Sequence, residues 1–269
     1  MINYRVILFF TLLLSLGMIT TQAYAETVVI VGSEDAYVDE DAKDDNFGQS
    51  EFLTSGWTNT SELDHSDLKQ VISYIEFDLN KIPKSNWLET VVIDSAKLNL
   101  SAEAVYGNAE IFLIHVYHCK DNGSWLENEI TWNNRNCKNI TEFHLTDSKF
   151  INPSELPKKY DWDITMNIRE SIALNNLKTT LVVKMSDKQH VVIGKIGDGD
   201  PEIITSLVQF SSSETDKSSG MAPKLIVSYS TILFTQYGIF IIVISVVSIM
   251  GTIFTLFPKI KDIIKRISG

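Results

Sequence analysis

Tyr74-Ile75-Glu76-Phe77-Asp78-Leu79 decides the fold class. Its apolar residues Ile75, Phe77 and Leu79 fall at every second position. A period of two puts them on one face of a strand, whereas a helix would scatter them around its axis. The same alternation recurs at 96–101, where Ala96, Leu98 and Leu100 point inward and Lys97, Asn99 and Ser101 outward. Ile111 to Tyr117 is apolar on both faces, as in a strand covered twice. Thr27–Val31, Thr180–Met185, Val191–Ile193, Leu207–Phe210 and Leu225–Tyr229 complete the expected strands.

Turn chemistry separates these runs at Asn46-Phe47-Gly48, Tyr106-Gly107-Asn108, Asp121-Asn122-Gly123 and Gly197–Pro201. The polar stretch Ser211–Ser219 reads as a surface loop. One helix is predicted over Thr165–Asn175, with Ile168, Ile172 and Ala173 toward the core. Many short strands, one helix and no internal repeat predict an all-β ectodomain of the β-sandwich or jelly-roll type.

Both ends carry apolar segments of another kind. Arg5, the apolar run Val6–Ile19 and the small-residue pattern Ala23-Tyr24-Ala25 have the layout of a secretory signal peptide over residues 1–25, cut before Glu26. Ile232–Phe257 holds 26 residues without a charge, enough for one transmembrane helix across a hydrocarbon core of about 30 Å. Lys259, Lys261, Lys265 and Arg266 follow it, which predicts a cytoplasmic tail over 258–269. Residues 26–230 are then the ectodomain. The expected location is the cell membrane, single-pass, with the N-terminal domain extracytoplasmic.

The chain has 23 Lys+Arg against 34 Asp+Glu. Arg5 and the tail hold five of the bases and Asp262 one of the acids, so the ectodomain keeps 18 against 33, a net charge near −15. Nucleic-acid partners need a basic footprint and are excluded. Such a surface suits solvation or divalent cations. The two cysteines, Cys119 and Cys137, favour a disulfide outside the cell over two free thiols. Closing that loop stabilises by roughly 3 kcal/mol in the chain-entropy model.

Four sequons, at Asn59, Asn99, Asn122 and Asn139, are glycosylation candidates on the expected outer side. Asp35, Asp39, Glu40, Asp41, Asp44 and Asp45 form an acidic cluster. That cluster, or the Gly197–Glu202 turn, holds oxygens of the kind a structural calcium ion takes, although neither has EF-hand spacing. The alternative is a solvated acidic edge. No cofactor is firmly expected; structural calcium is the one candidate. No nucleophile elbow, zinc-protease helix or phosphate loop is present, so no catalytic residues are assigned. His115 and His118 sit at an odd separation on a strand and point to opposite faces, which argues against a shared metal. Of Trp57, Trp87, Trp125, Trp132 and Trp162, most are expected in the core, leaving one or two rings for stacking on sugars.

The run Ser124-Trp125-Leu126-Glu127-Asn128-Glu129-Ile130-Thr131-Trp132-Asn133-Asn134 resembles the SWxExxxTWNN signature of the DNRLRE domain, also called carbohydrate-binding module family 96. Trp125, Glu127, Thr131, Trp132, Asn133 and Asn134 carry that match. Asp35-Ala36-Tyr37-Val38 with Asn46-Phe47-Gly48 is similar to the family's opening. Ser73–Leu79 with Ile82-Pro83, Ile93–Leu100, Tyr160–Thr165, Phe210–Glu214 and Pro223–Val227 follow in the family's order. The resemblance covers Val29 to Tyr229. It implies a β-sandwich that binds polysaccharide of the alginate type, and the family also includes modules in archaeal proteins that break up cell aggregates.

This chain departs from the pattern at Ile72, where a basic residue is usual, in the acidic insert Trp57–Lys69, and in the cysteines that bracket the Trp-Asn-Asn run. Trp125 and Trp132 also read as core anchors, with Asn133 and Asn134 bonding turn backbone. The expected function is a membrane-anchored, non-catalytic module that binds a polysaccharide or cell-surface glycan. The alternatives are a structural or adhesion ectodomain that binds an envelope protein or a neighbouring cell, and a polysaccharide-degrading enzyme.

Overall fold

A computed structural model describes residues 21–58, 68–86, 89–107, 109–120, 125–140, 144–186, 206–215 and 220–234. Eleven strands run in chain order: β1 Thr21–Val31, β2 Glu34–Asp39, β3 Phe52–Thr58, β4 Lys69–Asp78, β5 Glu89–Tyr106, β6 Phe112–Cys119, β7 Leu145–Ile151, β8 Lys158–Asp163, β9 Lys178–Met185, β10 Ser206–Ser211 and β11 Lys224–Phe234. One α-helix, α1, spans Thr165–Ala173. The expected strand at 191–193, the Gly197–Glu202 turn, and all of the membrane segment after Phe234 lie outside the described residues. So do residues 1–20. No described helix is long and apolar enough to cross a membrane. Residues 21–25 and 232–234 are strand, in β1 and β11.

The all-β class stands. Pairing runs without a break through β1-β11-β5-β10-β3-β4-β9-β6-β7, with β2 added on β4 and β8 on β5. The registers of β2, β3 and β9 on β4 are all antiparallel. From Gln70 to Phe77 every residue of β4 is buried, including the polar positions between the apolar ones. A strand covered on both faces needs a curled sheet that folds back over it. Burial on both faces also explains its polar residues. The Ser55 hydroxyl donates to Ser73 Oγ at 3.1 Å and to the Val183 carbonyl at 2.9 Å, and the Ser73 hydroxyl donates to the Thr54 carbonyl at 2.8 Å. Glu76, also buried, accepts from Lys178 Nζ at 2.5 Å. Each buried polar side chain named here has a partner, as the cost of leaving one unmade requires.

Two compact units divide the chain. The larger is Thr27–Pro83 with Ile93–Tyr229. The other takes in Met1–Glu26, Lys84–Val92 and Ser230–Gly269, of which residues 21–26, 84–86, 89–92 and 230–234 are described. In this second unit Glu89 N–H donates to Asn86 Oδ1 at 3.0 Å and Val91 N–H to Ser85 Oγ at 2.9 Å, a polar turn into β5.

In the larger unit Trp162 is fully buried. It meets Phe210 edge-on at 6.1 Å, and its indole N–H donates to the Ile114 carbonyl at 3.4 Å. Truncating it to alanine would cost roughly 3–5 kcal/mol. The helix begins where the Asp163 carboxylate accepts from the Thr165 amide at 2.9 Å and hydroxyl at 2.6 Å, and these bonds hold the Asp163 pKa below its ordinary value. Ile168 faces the core as expected, whereas Ala173 is exposed and Ser171 is buried in its stead. The 211–219 stretch also differs from expectation. Ser211 ends β10 and both Ser211 and Ser212 are buried, because their hydroxyls bond Glu103 Oε1 at 2.6 Å and the Ser50 carbonyl at 2.7 Å.

Candidate functional site

The Trp-Asn-Asn run leaves β6 and folds back over β2 and β4. Trp125 is 6% exposed. It lies edge-on to Tyr74 at 6.2 Å, and its indole N–H donates to Thr180 Oγ1 at 3.2 Å. Ile130 joins the same apolar cluster with Ala36, Val38, Ile72 and Val182. Asn134 closes the turn: its Oδ1 accepts from the Thr131 amide at 2.7 Å and its Nδ2 donates to the Glu129 carbonyl at 2.8 Å. Asn133 ties the turn outward, donating from Nδ2 to Asp44 Oδ1 at 2.7 Å and from its amide to the Lys43 carbonyl at 3.1 Å. Asn46 donates to the carbonyls of Glu127 at 2.8 Å and Ile130 at 2.7 Å. Trp125, Thr131, Asn133 and Asn134 therefore hold the loop's shape through core packing and satisfied turn backbone.

Held this way, the loop delivers the next residues to a pocket. Cys119, the last residue of β6, is bonded to Cys137, with Cα atoms 5.7 Å apart. The expected disulfide is present. It pins residues 135–140 beside the end of β6. A cavity of about 430 Å³ opens there. His118, Lys120, Arg135, Lys138, Asn139 and His144 line it, and among the described residues no carboxylate does. Three fixed cations and two imidazoles thus share one cavity in a chain whose net charge is −11. The cations are already oriented. The Arg135 guanidinium carbon stands over Trp132, 3.5 Å from the ring centroid, and the side chain donates to the Trp132 carbonyl. Lys138 donates to the Asn133 carbonyl. Lys120 pairs with Glu170 at 2.8 Å.

Burial shapes the electrostatics of the pocket wall. It lowers the Arg135 pKa, against the pull of Tyr74 and Glu40. It also lowers His118, which Glu170 raises and Lys120 and His144 lower further. The Nδ1 atom of His118 is buried without a hydrogen-bond partner. A polar cavity with convergent cations and an unsatisfied ring nitrogen is suited to an anionic, hydroxyl-rich ligand.

Other residues named from the sequence fall elsewhere. His115 bonds Ser148 Oγ at 2.6 Å and packs on Tyr117, so it is not brought to His118. Of the sequons, Asn139 is exposed at the pocket and Asn99 is half-buried, its Nδ2 held by Asp161 Oδ1 at 2.6 Å. Asn59 and Asn122 lie outside the described residues, as does Trp87. Trp57 and Trp132 are half-buried, and Trp125 and Trp162 are core.

The acidic cluster is not wholly a solvated edge: Asp35 is 1% exposed and beside Glu127. Among the described residues no three His, Cys, Asp or Glu side chains form a ready metal set. Desolvation raises Asp35 to about 6 and Glu127 to about 7. Two carboxyls with raised pKa values resemble a hydrolase pair, but a buried Asp35 offers no cleft for a glycosidic bond to enter.

Sequence reasoning did not find the basic pocket. Its one signal was the disulfide, which brackets Lys120 and Arg135 and ends one residue before Lys138.

Among known proteins, the family model described as carbohydrate-binding module family 96 matches residues 26–195. The similarity at Phe210–Glu214 and Pro223–Val227 lies beyond that span. No curated protein matches the chain.

Proposed function

The chain belongs to carbohydrate-binding module family 96, and from that premise we propose that it is a non-catalytic module, displayed on the outer face of a membrane, that binds an acidic polysaccharide in the pocket beside Cys119–Cys137. The observation that carries this is the gathering of Lys120, Arg135 and Lys138 around one cavity. A surface near −15 repels a polyanion at long range, and screening confines that repulsion to about 8–10 Å at ordinary ionic strength. At contact the pocket cations dominate, since a charge-assisted hydrogen bond to a sugar carboxylate or sulfate is worth roughly 1.5–3 kcal/mol.

Recognition here is by charge. Arg135 already covers one face of Trp132, so that face is closed to a stacking sugar. Display follows from the apolar run 232–257, whose residues 232–234 end β11 and whose remaining 23 residues suffice for a single membrane span, with 26–230 outside as a jelly-roll ectodomain and 258–269 inside. Protease treatment of intact cells would remove the ectodomain and leave the tail.

The test is binding of the full-length chain in detergent to polyuronates, sulfated glycans and neutral glycans over a salt series. Saturable, salt-sensitive binding to acidic glycans is expected. Binding to neutral glycans alone would exclude the pocket as the site. Binding to none would leave the adhesion reading and direct the search to protein partners.

A further inference from the structure

The three cations of the pocket do not face an incoming anion on equal terms. Arg135 donates to the Trp132 carbonyl and Lys138 to the Asn133 carbonyl. Both acceptors are neutral, so each cation keeps its charge. Lys120 instead gives its Nζ to the Glu170 carboxylate, at 2.8 Å from Oε1. Among the described residues no other ion pair reaches a lysine or arginine that lines the cavity. Glu170 also acts electrostatically on His118, so two members of the pocket wall feel its charge.

The helix gives Glu170 no local reason to be an acid. It lies in the last turn of α1, where its carbonyl accepts from the Leu174 amide at 2.9 Å, and that turn holds no basic residue. The carbonyl end of a helix carries partial negative charge, so a carboxylate there opposes the helix dipole. Its one ion-pair partner is across the gap to β6, at Lys120. That contact is also built to open. The side chains of Lys120 and Glu170 are 50% and 42% exposed, and ion pairs so exposed hold weakly.

Resting on the reading of this pocket as an acidic-glycan site, we propose that Glu170 is its built-in competitor: the carboxylate occupies Lys120 in the free protein, and the ligand's anionic groups displace it on binding. The contact then sets selectivity as well as strength. A neutral glycan gains nothing from parting Lys120 from Glu170. A lone carboxylate exchanges one acceptor for another at Lys120. A chain with several acidic groups reaches Arg135 and Lys138 at the same time, and those contacts drive the exchange. The ligand selected is therefore a polyanionic chain, because the protein's own acid works against the weaker alternatives.

The experiment compares Glu170→Gln with the unaltered full-length chain, in detergent at fixed ionic strength. The probes are polygalacturonate and dextran sulfate, with unmodified dextran as the neutral control. The variant keeps an acceptor for Lys120 but not the charge. Affinity for the acidic probes should rise roughly two- to fivefold, the share of one exposed ion pair. Glu155→Gln removes the same charge beside Lys158, which is not among the described lining residues, and should leave affinity unchanged. A second readout needs no ligand. Burial lowers the His118 pKa and Glu170 opposes it, so the His118 titration midpoint seen by NMR should fall in Glu170→Gln. An unchanged midpoint overturns the proposal. If the unaltered chain binds the acidic probes and Glu170→Gln binds them no better, the proposal falls while the glycan reading stands. Weaker binding by the variant would make Glu170 a support for Lys120 and overturns it too. If neither chain binds an acidic probe, both readings fall.

Discussion

The guanidinium of Arg135 lies 3.5 Å over the ring centroid of Trp132, and the same residue lines the basic pocket. One residue thus shields an aromatic face and presents a fork of donors to an anion. Arg135→Ala should weaken acidic-glycan binding roughly ten- to a hundredfold, the loss of one charge-assisted contact. It should also uncover Trp132 to a fluorescence quencher. Arg135→Lys keeps the charge but not the guanidinium, so binding should recover in part while the indole stays accessible.

Reducing the Cys119–Cys137 bridge should act on stability and binding together. The loop it closes spans 18 positions, and opening it costs roughly 3 kcal/mol. In a domain of this size that lowers Tm by roughly 6–12 °C. Cys119→Ser measured by calorimetry should fall in that range. Its glycan affinity should drop at temperatures where the chain is still folded, because residues 135–140 then lose their covalent tie to the end of β6 and keep weaker ones such as the Tyr74 hydroxyl on the Asn136 carbonyl at 3.0 Å.

Gly48 touches the loop from below. A Cβ there would stand 2.1 Å from the Glu127 carbonyl oxygen and 2.6 Å from its carbon, and backbone at that distance has to move. Gly48→Ala should therefore destabilise by about 1–3 kcal/mol or more, read as a lower denaturation midpoint. Gly32→Ala is the contrast. Its Cβ would meet Ile75 Cγ2 at 3.5 Å and Asp35 Oδ2 at 3.7 Å, ordinary contacts, so its midpoint should barely change.

The strands were readable where the pleat alone dictates the pattern. Ile75 and Phe77 alternate along β4 as the pleat requires, although its other face is buried too, and the Thr165 helix was legible in the spacing of Ile168 and Ile172. The site was not readable, for a different reason. Lys120, Arg135 and Lys138 look like solvated surface residues until the disulfide folds 135–140 against the end of β6. Asp35 looks like the first of an acidic run, since nothing local says that Glu127 and Ser213 will close over it. Trp125 and Asn134 stood out in sequence because they keep the loop's shape, which is a structural duty. The residues that line the pocket lie on both sides of the motif and carry no pattern of their own.

The pocket should also bind with a pH dependence set largely by His118. Burial is the main cause of its lowered pKa, with Lys120 and His144 lowering it further and Glu170 opposing them. In the free protein a depressed folded-state value means that His118 contributes stability above the unfolded pKa near 6.5. That contribution is lost as pH falls through the folded value. An acidic sugar reverses the preference, because its carboxylate favours the charged ring of His118, which lines the cavity. Proton uptake then accompanies binding, so affinity should rise as pH falls from about 7.5 to about 5, while a carboxylate of ordinary pKa stays mostly ionised. Over the same interval the Tm of the unliganded chain should decline. His118→Gln should reduce the slope of log Kd against pH. A ligand without charge has no such linkage, so a pH-independent Kd for the unaltered protein would mean that the pocket reads hydroxyls alone.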